Sequence, residues 1–146
     1  MKVAIGADHG AFKRKAQVIE HLEKAGHEVK DFGTYTPESC DYPALGRSVA
    51  EAVASGDYDR GIVMCTTGIG ISIVANKVKG IRCALCSSVT SARLTRQHND
   101  ANMLSIGAGI TGPNLTMDIV DTFKNTDFSN EEKHVRRISQ IKEMEG

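Results

Sequence analysis

The chain has 146 residues and a mass of 15.7 kDa, a length that predicts one domain over residues 1–146. Its 40% hydrophobic and 25% charged residues exclude a disordered or collagen-like chain, and 18 Lys plus Arg against 18 Asp plus Glu exclude a broad face for nucleic acid or an anionic membrane. No apolar run approaches the ~20 residues of a membrane span, and Met1-Lys2-Val3-Ala4-Ile5 enters a strand pattern without a signal peptide, so a cytoplasmic location is expected.

Short apolar runs bounded by turn residues predict strands at 2–7, 27–32, 61–65, 81–86 and 102–107, and each of the first four gives way to helical spacing. In the first helix Phe12, Ala16, Ile19 and Leu22 form one stripe, Lys13, Lys15 and Glu20 lie off it, and Gly26 is the stop. Residues 33–41 form the longest irregular stretch, expected to lie near a ligand. After the fifth strand, Thr111-Gly112-Pro113 opens a helix carrying Leu115, Ile119 and Phe123. The last helix, about 130–145, starts from the capping-box spacing of Ser129-Asn130-Glu131-Glu132 and carries Val135, Ile138 and Ile141. Strands alternating with helices predict an α/β fold: a three-layer αβα Rossmann-like domain with a five-stranded parallel sheet.

The four cysteines are Cys40, Cys65, Cys83 and Cys86. Cys83 and Cys86 have a metal or redox spacing, but on a strand residues three apart point to opposite faces, so no metal site is expected. In open parallel sheets ligands sit beyond the carboxyl ends of the strands. There lie Asp8-His9, the turn Cys65-Thr66-Thr67-Gly68-Ile69-Gly70-Ile71-Ser72, and Ser87-Ser88. That turn is either a tight strand-to-helix connection or a cradle of backbone N–H groups for an anion or enolate oxygen. It lacks the third glycine of a dinucleotide fingerprint and the lysine of a Walker loop. Cys65, at the turn's entrance, is an inert buried thiol or a base and nucleophile activated by the helix end. His98, in the polar run Arg96-Gln97-His98-Asn99-Asp100, is a solvated loop imidazole or a proton-transfer group. Asp8 caps the first helix or contacts a ligand. Lys133, His134, Arg136 and Arg137 form a solvated helix face or a phosphate site.

At Asp8-His9-Gly10, Tyr42-Pro43, 65–72, Asn76-Lys77, Gly80-Ile81-Arg82 and 96–102, the chain closely resembles the type B ribose-5-phosphate isomerases. That family also includes allose-6-phosphate and galactose-6-phosphate isomerases. The resemblance implies aldose-ketose isomerisation of D-ribose 5-phosphate and D-ribulose 5-phosphate, a pentose phosphate pathway reaction, through an enediol(ate) with no metal or cofactor. It implies Cys65 as base, His98 as the ring-opening group and Thr67 as a catalytic residue. It also places Asp8, His9, Thr66, Gly68, Ile69, Gly70, Ser72, Asn99, Gly109, Lys133 and Arg137 at the substrate. It further implies a homodimer or dimer of dimers with shared sites, in which His98 and the last helix serve the partner's Cys65. Two departures stand out: Gly109 and Lys133 occupy positions where the family usually carries arginine. They leave open another aldose phosphate, a tetrose or hexose phosphate, or a noncatalytic sugar-phosphate binder.

Overall fold

The computed structural model describes residues 1–146 and contains five strands and six helices. The strands are β1 (Lys2–Ala7), β2 (Glu28–Asp31), β3 (Arg60–Cys65), β4 (Cys83–Leu85) and β5 (Met103–Gly107). They form one sheet in the order β2-β1-β3-β5-β4, parallel at every pairing. The helices are α1 (Phe12–Lys24), α2 (Tyr42–Ala54), α3 (Ile69–Asn76), α4 (Val89–Asn99), α5 (Pro113–Asn125) and α6 (Glu132–Met144), and a 3-10 turn, His9–Ala11, precedes α1. None is long and apolar enough to cross a membrane.

The central strands β1, β3 and β5 are buried along both faces, as a sheet covered on both sides requires, while the edge strand β2 exposes Glu28 and Lys30. Ile5, Ile62, Met64, Leu104 and Ile106 pack with Leu22 of α1 and with Ile119 and Phe123 of α5. The alternate residues Ala4, Val63, Cys65 and Met103 pack with Val49 and Val53 of α2 and with Ile71 and Ala75 of α3. Each large side chain so buried contributes about 1.5–3 kcal/mol. Cys83 belongs to the second cluster and Cys86 to the first, so the pair does straddle the sheet. Burial drives the Cys83 thiol up to about 12 and raises that of Cys86 as well.

Four local expectations change. The buried face of α1 runs through Lys15, Val18 and Leu22 while Ala16 is exposed. Lys15 is enclosed because its ammonium donates to both carboxylate oxygens of Asp31, at 2.7 and 2.9 Å, and to the Thr34 carbonyl. In α5 the buried stripe is Thr116, Ile119, Val120 and Phe123, leaving Leu115 exposed. The N-cap of α6 is Glu131, with no side-chain cap bond, so the capping box at Ser129 does not form; α6 buries His134 and Ile138 and leaves Val135 and Ile141 exposed. Finally, β4 is only three residues long, and Ile81 and Cys86 flank it.

Candidate active site

In the order β2-β1-β3-β5-β4, successive connections leave β1 and β3 toward opposite edges of the sheet, so the crevice falls between these two strands. Asp8 follows β1 and Cys65 ends β3, which brings them to the same rim. The Asp8 amide donates to the Met64 carbonyl at 3.1 Å, and Asp8 Oδ1 accepts the Gly10 amide at 2.9 Å, so Asp8 does cap the turn His9–Ala11.

Cys65 is buried, and its Sγ accepts the Gly68 N–H at 3.1 Å. That bond depends on Gly68, which has φ +76° and forms the N-cap of α3. A Cβ there would lie 2.8 Å from both Gly107 N and Ile106 C, backbone atoms that cannot swing aside. Gly107 mirrors the constraint, since its Cβ would meet the Thr67 carbonyl oxygen at 2.4 Å. The turn and β5 thus lie back to back, and Ser105 fastens them by donating to the Gly68 carbonyl at 2.7 Å. Ser105 and Gly107 were not singled out in the sequence, where a serine and a glycine in an apolar strand carry no signal of their partners.

The turn spends few of its own amides. Ile69 N–H donates to Thr67 Oγ1 at 3.2 Å and Ser72 N–H to the Gly68 carbonyl at 3.2 Å. The N–H groups of Thr66, Thr67, Gly70 and Ile71 have no protein partner. Such unpaired amides at a helix start favour an acceptor that carries negative charge. Gly70 is walled by Tyr42, whose ring would lie 2.6 Å from an added Cβ, which explains why Tyr42 stands beside the turn. The Ser72 hydroxyl is turned inward, donating to the Ile69 carbonyl at 2.7 Å. Thr66 holds the neighbouring loop: its carbonyl accepts the Gly109 amide at 2.8 Å, and the Cys65 carbonyl accepts that of Ala108 at 2.9 Å. His9 is exposed, and its Nδ1 accepts the Cys40 amide at 3.2 Å, which puts the proton of the neutral ring on Nε2.

The remaining predicted residues lie elsewhere. His98 is in the last turn of α4, not in a loop. Helices in this fold run against the strands they follow, so the end of α4 reaches the rim opposite Cys65. Arg82, just before β4, donates to the Asn99 carbonyl at 2.8 Å, and Gly61, at the start of β3, donates to that of Asn102 at 3.0 Å. Six residues of strand separate the rims by roughly 16 Å. His98 stacks on His134 of α6, ring centres 4.5 Å apart, and the Ser129 amide donates to the Gln97 carbonyl, so Lys133 and Arg137 share that far rim. Burial and the neighbouring His98 hold the His134 imidazole below its ordinary range. One chain therefore assembles Asp8, His9, Cys65 and the turn, and separately His98, Asn99, Lys133 and Arg137. No cluster of three or more His, Cys, Asp or Glu side chains fit to hold a metal occurs.

A family model described as Ribose/Galactose Isomerase matches residues 3–141. Ribose-5-phosphate isomerase B of Escherichia coli is 44% identical over 144 residues, 99% of this chain and 96% of that protein. A galactose-6-phosphate isomerase subunit of Clostridium acetobutylicum is 40% identical over 99% of this chain and 83% of its own length. The solved structure of Clostridium thermocellum ribose-5-phosphate isomerase B superposes with a TM-score of 0.97 at 51% identity, covering 99% of this chain and 97% of that one.

Proposed function

The chain belongs to the ribose/galactose isomerase family, and from that premise we propose the roles its residues take in interconverting D-ribose 5-phosphate and D-ribulose 5-phosphate. The observation that carries the assignment is the Cys65 thiol at the end of β3, held by the Gly68 amide beside unpaired N–H groups.

Cys65, as thiolate, takes the proton from C2 of the open-chain aldose. The electron pair left behind forms the C1–C2 double bond, and the carbonyl oxygen on C1 becomes the enediolate oxygen, received by the free amides of the turn. After a proton passes between O2 and O1, Cys65 returns its proton to C1 and the ketose forms. A positioned base contributes about 10²–10⁴-fold and each oxyanion donor about 2.7–4 kcal/mol, so the two together account for the need to acidify a carbon acid without a cofactor. Thr67 fixes the turn through Ile69, while Asp8 and His9 contact the sugar from the β1 side.

His98 opens the furanose ring, and it reaches Cys65 only from a second copy of the chain. Asn99, Lys133 and Arg137 accompany it and contact the sugar and its phosphate. The separation of the two rims supports this homodimer, as do the exposed apolar side chains Ile69, Ile73 and Leu85 near the turn and Val135, Ile141 and Met144 on α6. A dimer of dimers is compatible with the same contacts. The four free thiols fit a reducing cytoplasm.

The test is complementation. Cys65→Ala and His98→Ala homodimers should each lose turnover by at least ~10²-fold. Mixed by refolding together, they should recover up to about a quarter of wild-type activity, because half the dimers are hybrids with one of two sites intact. Recovery of nothing, with both variants folded, refutes the shared site. A second reading, a six-carbon aldose phosphate as the better substrate, is favoured by Gly109, which brings no side chain to the substrate rim. Comparison of kcat/KM across four- to six-carbon aldose phosphates decides between them.

A further inference from the structure

Helix α4 ends without a glycine. Its C-cap, Asp100, takes the left-handed conformation at φ 46°, which a residue bearing a Cβ adopts only under steric strain. The amides of Asp100 and Ala101 close the helix by donating to the Arg96 and Thr95 carbonyls, each at 3.3 Å. The carbonyls of Asn99, Asp100 and Ala101 are then all taken by arginine. Arg82 Nε donates to the Asn99 carbonyl at 2.8 Å and Arg82 Nη2 to the Asp100 carbonyl at 2.9 Å. Arg96 Nη1 donates to the Ala101 carbonyl at 2.7 Å and to Asp100 Oδ1 at 2.8 Å.

Arg82 is itself held at its backbone, just before β4. Its amide donates to Asn102 Oδ1 at 2.9 Å, its carbonyl accepts the Asn102 amide at 3.1 Å, and its side chain is only 14% exposed. The exposed His98, by contrast, has no side-chain hydrogen bond within its own chain; the stack on His134 and the course of the backbone place its ring. Ending a helix at a surface needs no such device, because water can serve its last carbonyls. A rigid guanidinium fork across two successive carbonyls does more: it fixes the orientation of the peptides on both sides of Asp100.

We propose that Arg82 is a positioning residue for the isomerisation. By fixing those two peptides it sets where His98 and Asn99 enter the site of the second copy, while the Cys65 of its own chain, on the opposite rim, does not depend on it. The proposal rests on the shared-site reading.

The experiment is complementation by refolding variants together, followed by kinetics on ribose 5-phosphate. The Arg82→Met homodimer should lose kcat by about 10–100-fold, the scale of a misplacement near 1 Å, with KM within about 3-fold of wild type. Arg82→Lys, which keeps the charge without the fork, should fall between. Mixed with Cys65→Ala, Arg82→Met should recover up to about a quarter of wild-type activity, because the hybrid joins its Cys65 to a correctly held His98. Mixed with His98→Ala it should stay below about 5%, since every Cys65 then faces a missing or displaced imidazole. A general loss of folding would move both mixtures alike. Equal recovery from the two mixtures, recovery from neither, or an Arg82→Met homodimer within about twofold of wild type overturns the proposal. If Arg82→Met does not fold, Arg82→Lys decides by the same mixtures. Failure of the Cys65→Ala and His98→Ala pair to complement would sink the shared-site reading alone. The His98 Cε1–H resonance, assigned by its loss in His98→Ala, would still decide the role of Arg82: a displaced signal in Arg82→Met is expected, and an unmoved one refutes it.

Discussion

Gly68→Ala tests whether the turn and β5 are as tightly apposed as the geometry demands. The new methyl carbon would sit at φ +76° and 2.7–2.8 Å from Leu85 Cδ1, Gly107 N and Ile106 C. A left-handed non-glycine residue costs about 1–2 kcal/mol, and overpacking against backbone adds about 1–3 kcal/mol, so the folded state should lose about 2–5 kcal/mol. At about 2–4 °C per kcal/mol for a chain near this size, that lowers Tm by roughly 4–20 °C. The same step displaces the N–H that bonds Cys65 Sγ, so kcat should fall about 100-fold. Gly80→Ala is the control: Gly80 has φ +90° and nothing within 4 Å of an added Cβ. It should lose only the conformational 1–2 kcal/mol, by the same estimate, and keep its activity. Thermal melts and initial rates on ribose 5-phosphate measure both. Coincident melts for the two variants, or wild-type kcat in Gly68→Ala, would refute the reasoning.

His134 is held below the usual imidazole value by burial first and His98 second, with Lys133 and Arg137 adding repulsion and Glu131 opposing it. The unfolded chain therefore binds a proton that the folded chain refuses, and stability should rise with pH up to about 6.5 and be lost as pH drops through the folded value. Urea midpoints between pH 5 and 8 should show this slope reduced in His134→Gln, and an unchanged slope would exclude His134 as its source. Asp31→Ala strands the Lys15 ammonium, which is 3% exposed, and should destabilise by about 2 kcal/mol, at the lower end for a buried pair because Asp31 itself is 35% exposed. Lys15→Met, which removes the charge with the chain length kept, should cost less; urea titration of the two variants checks the order.

Strand positions and two of the strand ends that form the site, Asp8-His9 and the turn from Cys65, were legible in the sequence because apolar runs and glycine stops report local structure, whereas the crevice between β1 and β3 needed the strand order. Lys15 was misplaced because burial of a lysine depends on Asp31, sixteen residues on, and hydrophobic periodicity ignores such pairs. The tie of Arg14 to the Thr111 carbonyl and Thr116 Oγ1 was hidden for the same reason, since its partners lie about a hundred residues away. The gap between Cys65 and His98 follows from helix direction, which becomes readable only when the helix holding His98 is recognised as extending through Asn99. Nothing in the run Arg96-Gln97-His98-Asn99 marks it as helix; the left-handed Asp100 cap, at φ 46°, is what ends it.

Helix α4 acts as a ruler. Ser88 pins its first turn by accepting the Ser91 amide, and Arg96 ties its last turn to the Ala101 and Thr126 carbonyls. Each residue added between those pins would advance His98 by about 1.5 Å and swing it by about 100° around the axis, off the face of His134. Insertions and deletions between Val89 and Asn99 should therefore be far less tolerated than those in the irregular stretch after β2, although both segments are largely solvent-facing.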